Sequence, residues 1–271
     1  GAIVNRTVEG EGGLTNTRIM GLFSRRWVIP RTMDIQAGMQ VGAINQRINW
    51  NELVFSDQLD PVLGNIQASQ AAKPTDPSAT AFDVSAGVIT KFEFPFNEGQ
   101  ALNQAGLAVY HINQPSTSFT GAEARYPSRW VAHYGILLPF EGIQARKKLS
   151  IYPNVRFESQ DNFTQLDLSA IAFEDPLFFG ASLRNSKQYF NPDNTAQTIV
   201  TAGIRTRSKS LGEIMIGYSY DFSVTGMQQT NRGSHEISLM LFFKKDDPEG
   251  ANRNPDFGCN KFYDKGLSPI F

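Results

Sequence analysis

The sequence predicts an all-β chain, a transmembrane antiparallel β-barrel of about twelve strands. Three observations lead there. Apolar residues alternate with polar ones at period two along most of the 271 residues. No segment has a helical period, and the longest apolar runs, such as Tyr134 to Phe140, fall far short of the roughly 20 residues of a spanning helix. Short and long connections take turns along the chain. A span in lipid must satisfy every backbone polar group internally, so without helices it has to be a closed set of strands.

The alternation is explicit in each segment. From Met33 to Ala43 every odd residue is apolar, opposite Asp34, Gln36, Gly38, Gln40 and Gly42. From Phe82 to Phe94 the even residues are mostly apolar and the odd ones include Asp83, Ser85, Lys91 and Glu93. Leu166, Leu168, Ala170 and Ala172 alternate with Asp167 and Ser169. Ile214, Ile216, Tyr218, Tyr220 and Phe222 alternate with Gly217, Ser219 and Asp221. Ile237, Leu239, Leu241 and Phe243 close the series. Many segments have about 9–11 residues, the length that crosses a bilayer at a tilt.

The connections at 29–32, 95–104, 140–148, 174–176 and 208–210 are compact. Those at 47–80, 113–128, 186–197 and 223–233 are mostly longer and rich in turn residues. Short periplasmic turns and longer external loops are the sidedness of an outer-membrane barrel, which places both chain ends in the periplasm. The expected division is a barrel over 1–245 and a periplasmic tail over 246–271. Aromatics at both ends of the strands, among them Trp27, Phe94, Phe178 and Phe179 at one and Trp50, Trp130 and Phe157 at the other, read as two girdles at the lipid headgroups. A soluble β-sandwich alternates as well, and periodicity alone does not separate the two.

By parity the inner face carries Asp34, Asp83, Lys91, Glu93, Arg156, Glu158, Asp167, Arg184, Arg205, Asp221 and Glu236. Both signs interleave, so an ion-pair network that fills the lumen is expected from much of this set: Asp83, Arg156, Glu158, Asp167, Arg184, Arg205, Asp221 and Glu236. A solvated channel wall is the alternative. Signals for chemistry are poor. His111, His133 and His235 have no metal-ligand spacing, and the lone Cys259 can form no internal disulfide. There is no nucleophile elbow and no phosphate loop. Ser234 and His235 are adjacent and would point to opposite faces of a strand. No catalytic, metal or cofactor site is expected, and a net charge of −1 gives no general attraction to nucleic acid.

Several stretches resemble the PorP/SprF family, outer-membrane proteins of the type IX secretion system of Bacteroidetes. They are Val54-Phe55-Ser56-Asp57-Gln58-Leu59-Asp60, His111-Ile112-Asn113-Gln114-Pro115, Phe163-Thr164-Gln165-Leu166-Asp167-Leu168, Gly217-Tyr218-Ser219-Tyr220-Asp221-Phe222 and Gly233-Ser234-His235-Glu236-Ile237-Ser238-Leu239. They occur in the family's order over nearly the whole chain. The resemblance implies a barrel of about fourteen strands, of which the first pair would precede Gly1. It implies a non-enzymatic role in secretion or gliding, with a periplasmic ring lipoprotein, the C-terminal region of a secreted adhesin and outer-membrane lipid as partners. The external loops would hold the exported protein, with Asp57, Asp60, Asn113 and Gln114 as polar candidates. In the tail, Phe257, Phe262, Tyr263 and Phe271 would anchor a periplasmic partner. A channel or transporter for small solutes is the rival function.

Overall fold

The computed structural model describes residues 1–242 apart from residues 11, 30–32, 61, 72, 75, 98, 120–123, 144–147, 189–190, 209–211 and 225–232. Twelve strands form one antiparallel sheet in chain order: β1 (Ala2–Glu9), β2 (Leu14–Ile29), β3 (Met33–Arg47), β6 (Ser78–Phe96), β7 (Gly99–Tyr110), β8 (Arg129–Glu141), β9 (Lys148–Gln160), β10 (Phe163–Glu174), β11 (Leu177–Gln188), β12 (Asn191–Ser208), β13 (Gly212–Ser223) and β14 (Ser234–Phe242). A separate small hairpin, β4 (Leu59–Asp60) and β5 (Gly64–Asn65), lies between β3 and β6. Every neighbour along the main sheet is also the next strand in sequence, the up-and-down order of a barrel wall. β1 and β14 are its two edges among the described residues. Among the described residues no helix is long and apolar enough to cross a membrane.

The two faces of this sheet are inverted relative to a soluble one. The apolar face is the exposed one: Phe23 is 68% exposed, Phe82 60%, Phe179 57% and Leu239 64%. The polar face holds the buried groups, with Asp83 at 2% and Ser85 at 4%. Water would strongly disfavour the first arrangement, and hydrocarbon favours it. This settles the choice between sandwich and barrel: a sandwich would put its apolar faces against each other.

The height of the apolar face can be read on β3. Its lipid-side residues are apolar from Met33 to Ala43 and then become Asn45 and Arg47. Eleven residues at a tilt of about 40° rise roughly 25 Å, the thickness of the apolar band of such barrels. Above it, Asn45 donates to the hydroxyls of Thr80 (2.7 Å) and Ser78 (3.1 Å) on β6, a polar row outside the hydrocarbon.

The expected alternation of short and long connections holds at one end and changes at the other. At the short-turn end, five hairpins join β2–β3, β6–β7, β8–β9, β10–β11 and β12–β13. At the opposite end, 48–77 and 111–128 are the long connections, each described in most of its residues. Residues 186–197, expected as a loop, belong mostly to β11 and β12, and β9–β10 turns tightly through Asp161 with φ of 49°. Polar residues on both faces read as loop in the sequence, yet β11 continues to Gln188 and β12 starts at Asn191.

Inside the sheet, the short-turn end is lined by hydrocarbon. Ile171, Phe173, Phe178 and Met215 pack together with Tyr152 and Met240, and Tyr152 also meets Leu102 and Leu137. Phe178, expected in the outer girdle, instead points inward and is 2% exposed, while Phe179 takes the lipid side. The strand period requires the split, because neighbours face opposite ways. The Phe178 ring lies over a notch made by the cross-strand pair Gly203 and Gly217, and a Cβ at Gly203 would overlap that ring and the Ile216 carbonyl. Replacing Phe178 with alanine is expected to cost roughly 3 kcal/mol, and Gly203→Val at least about 2 kcal/mol. Phe179→Ala should cost less than half as much as Phe178→Ala. Urea unfolding of the chain refolded into lipid vesicles measures all three, and equal costs at 178 and 179 would contradict the assignment of faces.

Candidate functional site

A chain of charges crosses the inner face toward the long-loop end of the strands. Arg129 on β8 meets Glu158 on β9 (3.4 Å), Glu158 pairs with Arg156, Arg156 reaches Asp167 on β10 (3.3 Å), and Asp167 accepts from Nε of Arg184 on β11 (2.9 Å). The cross-strand register puts Arg156, Asp167 and Arg184 in one row, so opposite signs face each other across adjacent strands. Gln165 adds a donor to Asp167 at 2.9 Å. The carboxylates are well covered and the arginines more exposed: the Asp167 side chain is 15% exposed, that of Arg184 37%. The ladder therefore lines a wall, with its cations turned toward the interior.

The structure brings together Arg156, Glu158, Asp167 and Arg184 of the sequence-derived set and adds Arg129. It does not bring in the others. Arg205 binds Asp175 at the short-turn end (2.9 Å), and Glu236 accepts from Ser238 (3.3 Å). Asp221 lies on the same inner face, opposite Ser234, without a cation partner among the described residues. Asp83 pairs with Nδ1 of His111 at 2.9 Å. A second inner cluster near the short-turn end joins Arg26 to Asp34 at 2.5 Å, beside Lys91 in the register of β6.

The Asp83–His111 pair begins a strap that sequence reasoning missed. The described residues of this connection, 111–119 and 124–128, leave β7 with His111 and Gln114 at φ of 56° and 45°, fold inward and cross β6 to reach β3. Asn113 accepts from the Val84 amide (3.1 Å) and donates to the Phe82 carbonyl (2.6 Å). The hydroxyl of Thr117 donates to Gln46 (2.8 Å), and Gln46 in turn donates to the Tyr126 hydroxyl. Arg18 of β2 sits over the Tyr126 ring, 6.0 Å from its centre. Gln114 donates to Ser128 at 3.4 Å. These contacts lie 71 and 80 residues apart in sequence at Gln46, so nothing in local sequence announces them. The strap covers the long-loop mouth on the β2–β6 side, with Thr117 6% and His111 7% exposed.

The other long connection, 48–77, is also built rather than loose. Its base closes through Ile48 N–H to the Pro77 carbonyl (3.0 Å) and Asn49 N–H to that of Gly12 (2.9 Å). Asp57 accepts from the Ser69 hydroxyl (3.0 Å) and the Gln70 amide (2.7 Å). Asp60 caps the β4–β5 hairpin by accepting from the Val62 and Leu63 amides at 2.8 and 2.9 Å. Those two amides, Leu63 first, hold its carboxyl below the ordinary carboxylate range. All four polar candidates, Asp57, Asp60, Asn113 and Gln114, thus act as internal fasteners in this conformation. Phe257, Phe262, Tyr263 and Phe271 lie outside the described residues.

The histidines are dispersed. His133 contacts the Gln104 amide (3.3 Å), and His235 is bonded to the Tyr218 hydroxyl (2.6 Å) on the lipid side, away from Ser234. No group of three metal-ligating side chains occurs among the described residues.

Strand order, inverted faces and a polar interior define a membrane protein of the transmembrane β-barrel class. The model of the type IX secretion system membrane protein PorP/SprF matches residues 1–241, and the chain belongs to this family. No curated protein and no solved structure gives a significant match.

Asp167 is the shared acceptor of two arginines, so Asp167→Asn is expected to cost about 1–2 kcal/mol. Asp221→Asn, on the same face without a cation, should stay within about 0.5 kcal/mol. Equilibrium unfolding in vesicles compares the two, and equal effects would show that the ladder carries no net interaction.

Proposed function

We propose that this chain is a non-enzymatic docking component of the type IX secretion machinery in the outer membrane, with its short turns and the tail after β14 in the periplasm. On this reading the tail, through Phe257, Phe262, Tyr263 and Phe271, engages a periplasmic component such as a ring lipoprotein. The long loops at the other end receive the end of an exported surface protein, of the adhesin kind. Membership in a secretion-system membrane family supports the setting.

The observation that carries the choice of docking over solute transport is how the interior is occupied. A diffusion channel keeps its inner face wet along its length. Here Ile171, Phe178 and Met215 are 2–4% exposed on the inner face at one end, and the 111–128 strap is bonded across the mouth at the other. Side chains buried to that degree occupy interior space that a channel would leave to water. The family's role needs no chemistry of the barrel itself, only surfaces above and below the membrane.

Affinity purification of a tagged chain from gently solubilised outer membranes tests the reading. Recovery of secretion-system components in stoichiometric amounts, weakened when the chain is cut back after Lys245, is the expected result. Planar-bilayer recordings complete the test. The intact chain should show no porin-like conductance, while His111→Ala with Gln46→Ala, which unfastens the strap, should raise its sensitivity to external protease. Recovery of the barrel alone together with a large stable conductance would overturn docking in favour of transport.

A further inference from the structure

The 48–77 loop presents something its polar residues do not explain. Five aliphatic side chains on the β4–β5 hairpin and its flanks stand in the open: Val62 is 87% exposed, Leu63 69%, Ile66 57%, Leu59 54% and Val54 49%. Exposed aliphatics are ordinary on the lipid-facing wall, but this hairpin lies beyond it. The outward face of β3 turns polar at Asn45 and Arg47, and the loop continues past that row. Val62 and Leu63, at the tip, therefore face water. Packing of this kind outside the membrane marks a surface that something else covers.

The knob is also held ready. Asp60 fastens the tip amides, Asp57 ties the distal limb through Ser69 and Gln70, and Gln58 Oε1 accepts from the Phe55 amide at 2.8 Å. Trp50 and Phe55 pack at the base with ring centres 5.1 Å apart and planes tilted by 40°. A surface fixed before contact loses little conformational entropy on binding.

Charge decides what can cover it. Residues 48–77 carry Glu52, Asp57, Asp60 and Asp76 against Lys73 alone. None of the four carboxylates meets a cation among the described residues. A connection of net negative charge is repelled by an anionic lipid surface, which disfavours folding back onto the outer leaflet. A second copy would bring the same negative charge against itself, and like charges across an interface cost affinity. A basic rim around an apolar cleft satisfies both features at once.

We propose that the Val62–Leu63 knob is the docking element for an exported protein whose surface offers an apolar cleft framed by lysine or arginine. This rests on the docking reading above and specifies where and by what chemistry it operates. The aliphatic tip supplies the buried centre of the contact, and the net negative charge of the 48–77 connection favours a basic surround.

The test replaces Leu63 with a photo-crosslinking amino acid in the full chain, in intact cells, and maps the adduct by mass spectrometry. The expected adduct is to one exported protein, at an apolar residue flanked by lysine or arginine. Glu52→Lys with Asp76→Lys should cut its yield at least about tenfold. With the crosslinker moved to Ile66, Val62→Ser with Leu63→Ser should do the same, while heat-modifiable mobility shows each barrel assembled. Adducts to lipopolysaccharide or to a second copy, no adduct, or yields indifferent to both sets of changes would overturn the proposal. If secretion components still co-purify in that case, only the knob assignment falls; if they do not, the docking reading falls with it.

Discussion

In hydrocarbon no water is available to a backbone amide or carbonyl, and this one constraint organises the molecule. Within the twelve-stranded sheet every strand except the edges β1 and β14 is paired on both sides, and the chain always advances to the adjacent strand of that sheet. A two-residue side-chain period then divides every strand between lipid and interior. The exposed apolar face and the buried polar face are consequences of that division. So is the separation of Phe178 from Phe179 across the sheet.

Once the lipid side is committed to apolar residues, all specificity has to come from the interior and the ends. The interior is layered. Hydrocarbon closes on itself at the short-turn end around Phe178 and Tyr152, the Arg129-to-Arg184 ladder runs toward the long-loop end, and the strap with its Asp83–His111 pair sits beside the long-loop mouth. Such an interior supports a fixed scaffold better than a flow path. In the 48–77 connection Asp57, Asp60 and Asp76 each accept from backbone amides, and the aliphatic tip at Val62 and Leu63 stands exposed.

How much of this was legible in the sequence follows from where period two operates. The fold, the strand number and the inward set were readable, because alternation is local and survives without knowledge of partners. Arg129 was readable by the same parity, two residues before Val131 and four before His133 on β8, and was overlooked because it borders a loop. The strap was not readable: Gln46 meets Tyr126 and Thr117 only after three strands have been set side by side. The inward turn of Phe178 required knowing the strand's register against the short turn. At the loops the sequence pointed to Asp57 and Asp60 as contact residues, because exposed acids attract attention. Their hydrogen bonds to nearby amides turn them into scaffolding and shift attention to Val62 and Leu63.

The most direct test of the central claim, that the apolar face meets lipid while the polar face lines a protected interior, is a spin-label scan of β10 in vesicles. Oxygen and nickel accessibility would be read at successive positions from Leu166 to Ala172. The account predicts period two, with labels at Leu166, Leu168, Ala170 and Ala172 open to oxygen in lipid and those at Asp167, Ser169 and Ile171 shielded from it. Uniform accessibility, or the opposite phase, would contradict the assignment of faces on which the rest depends.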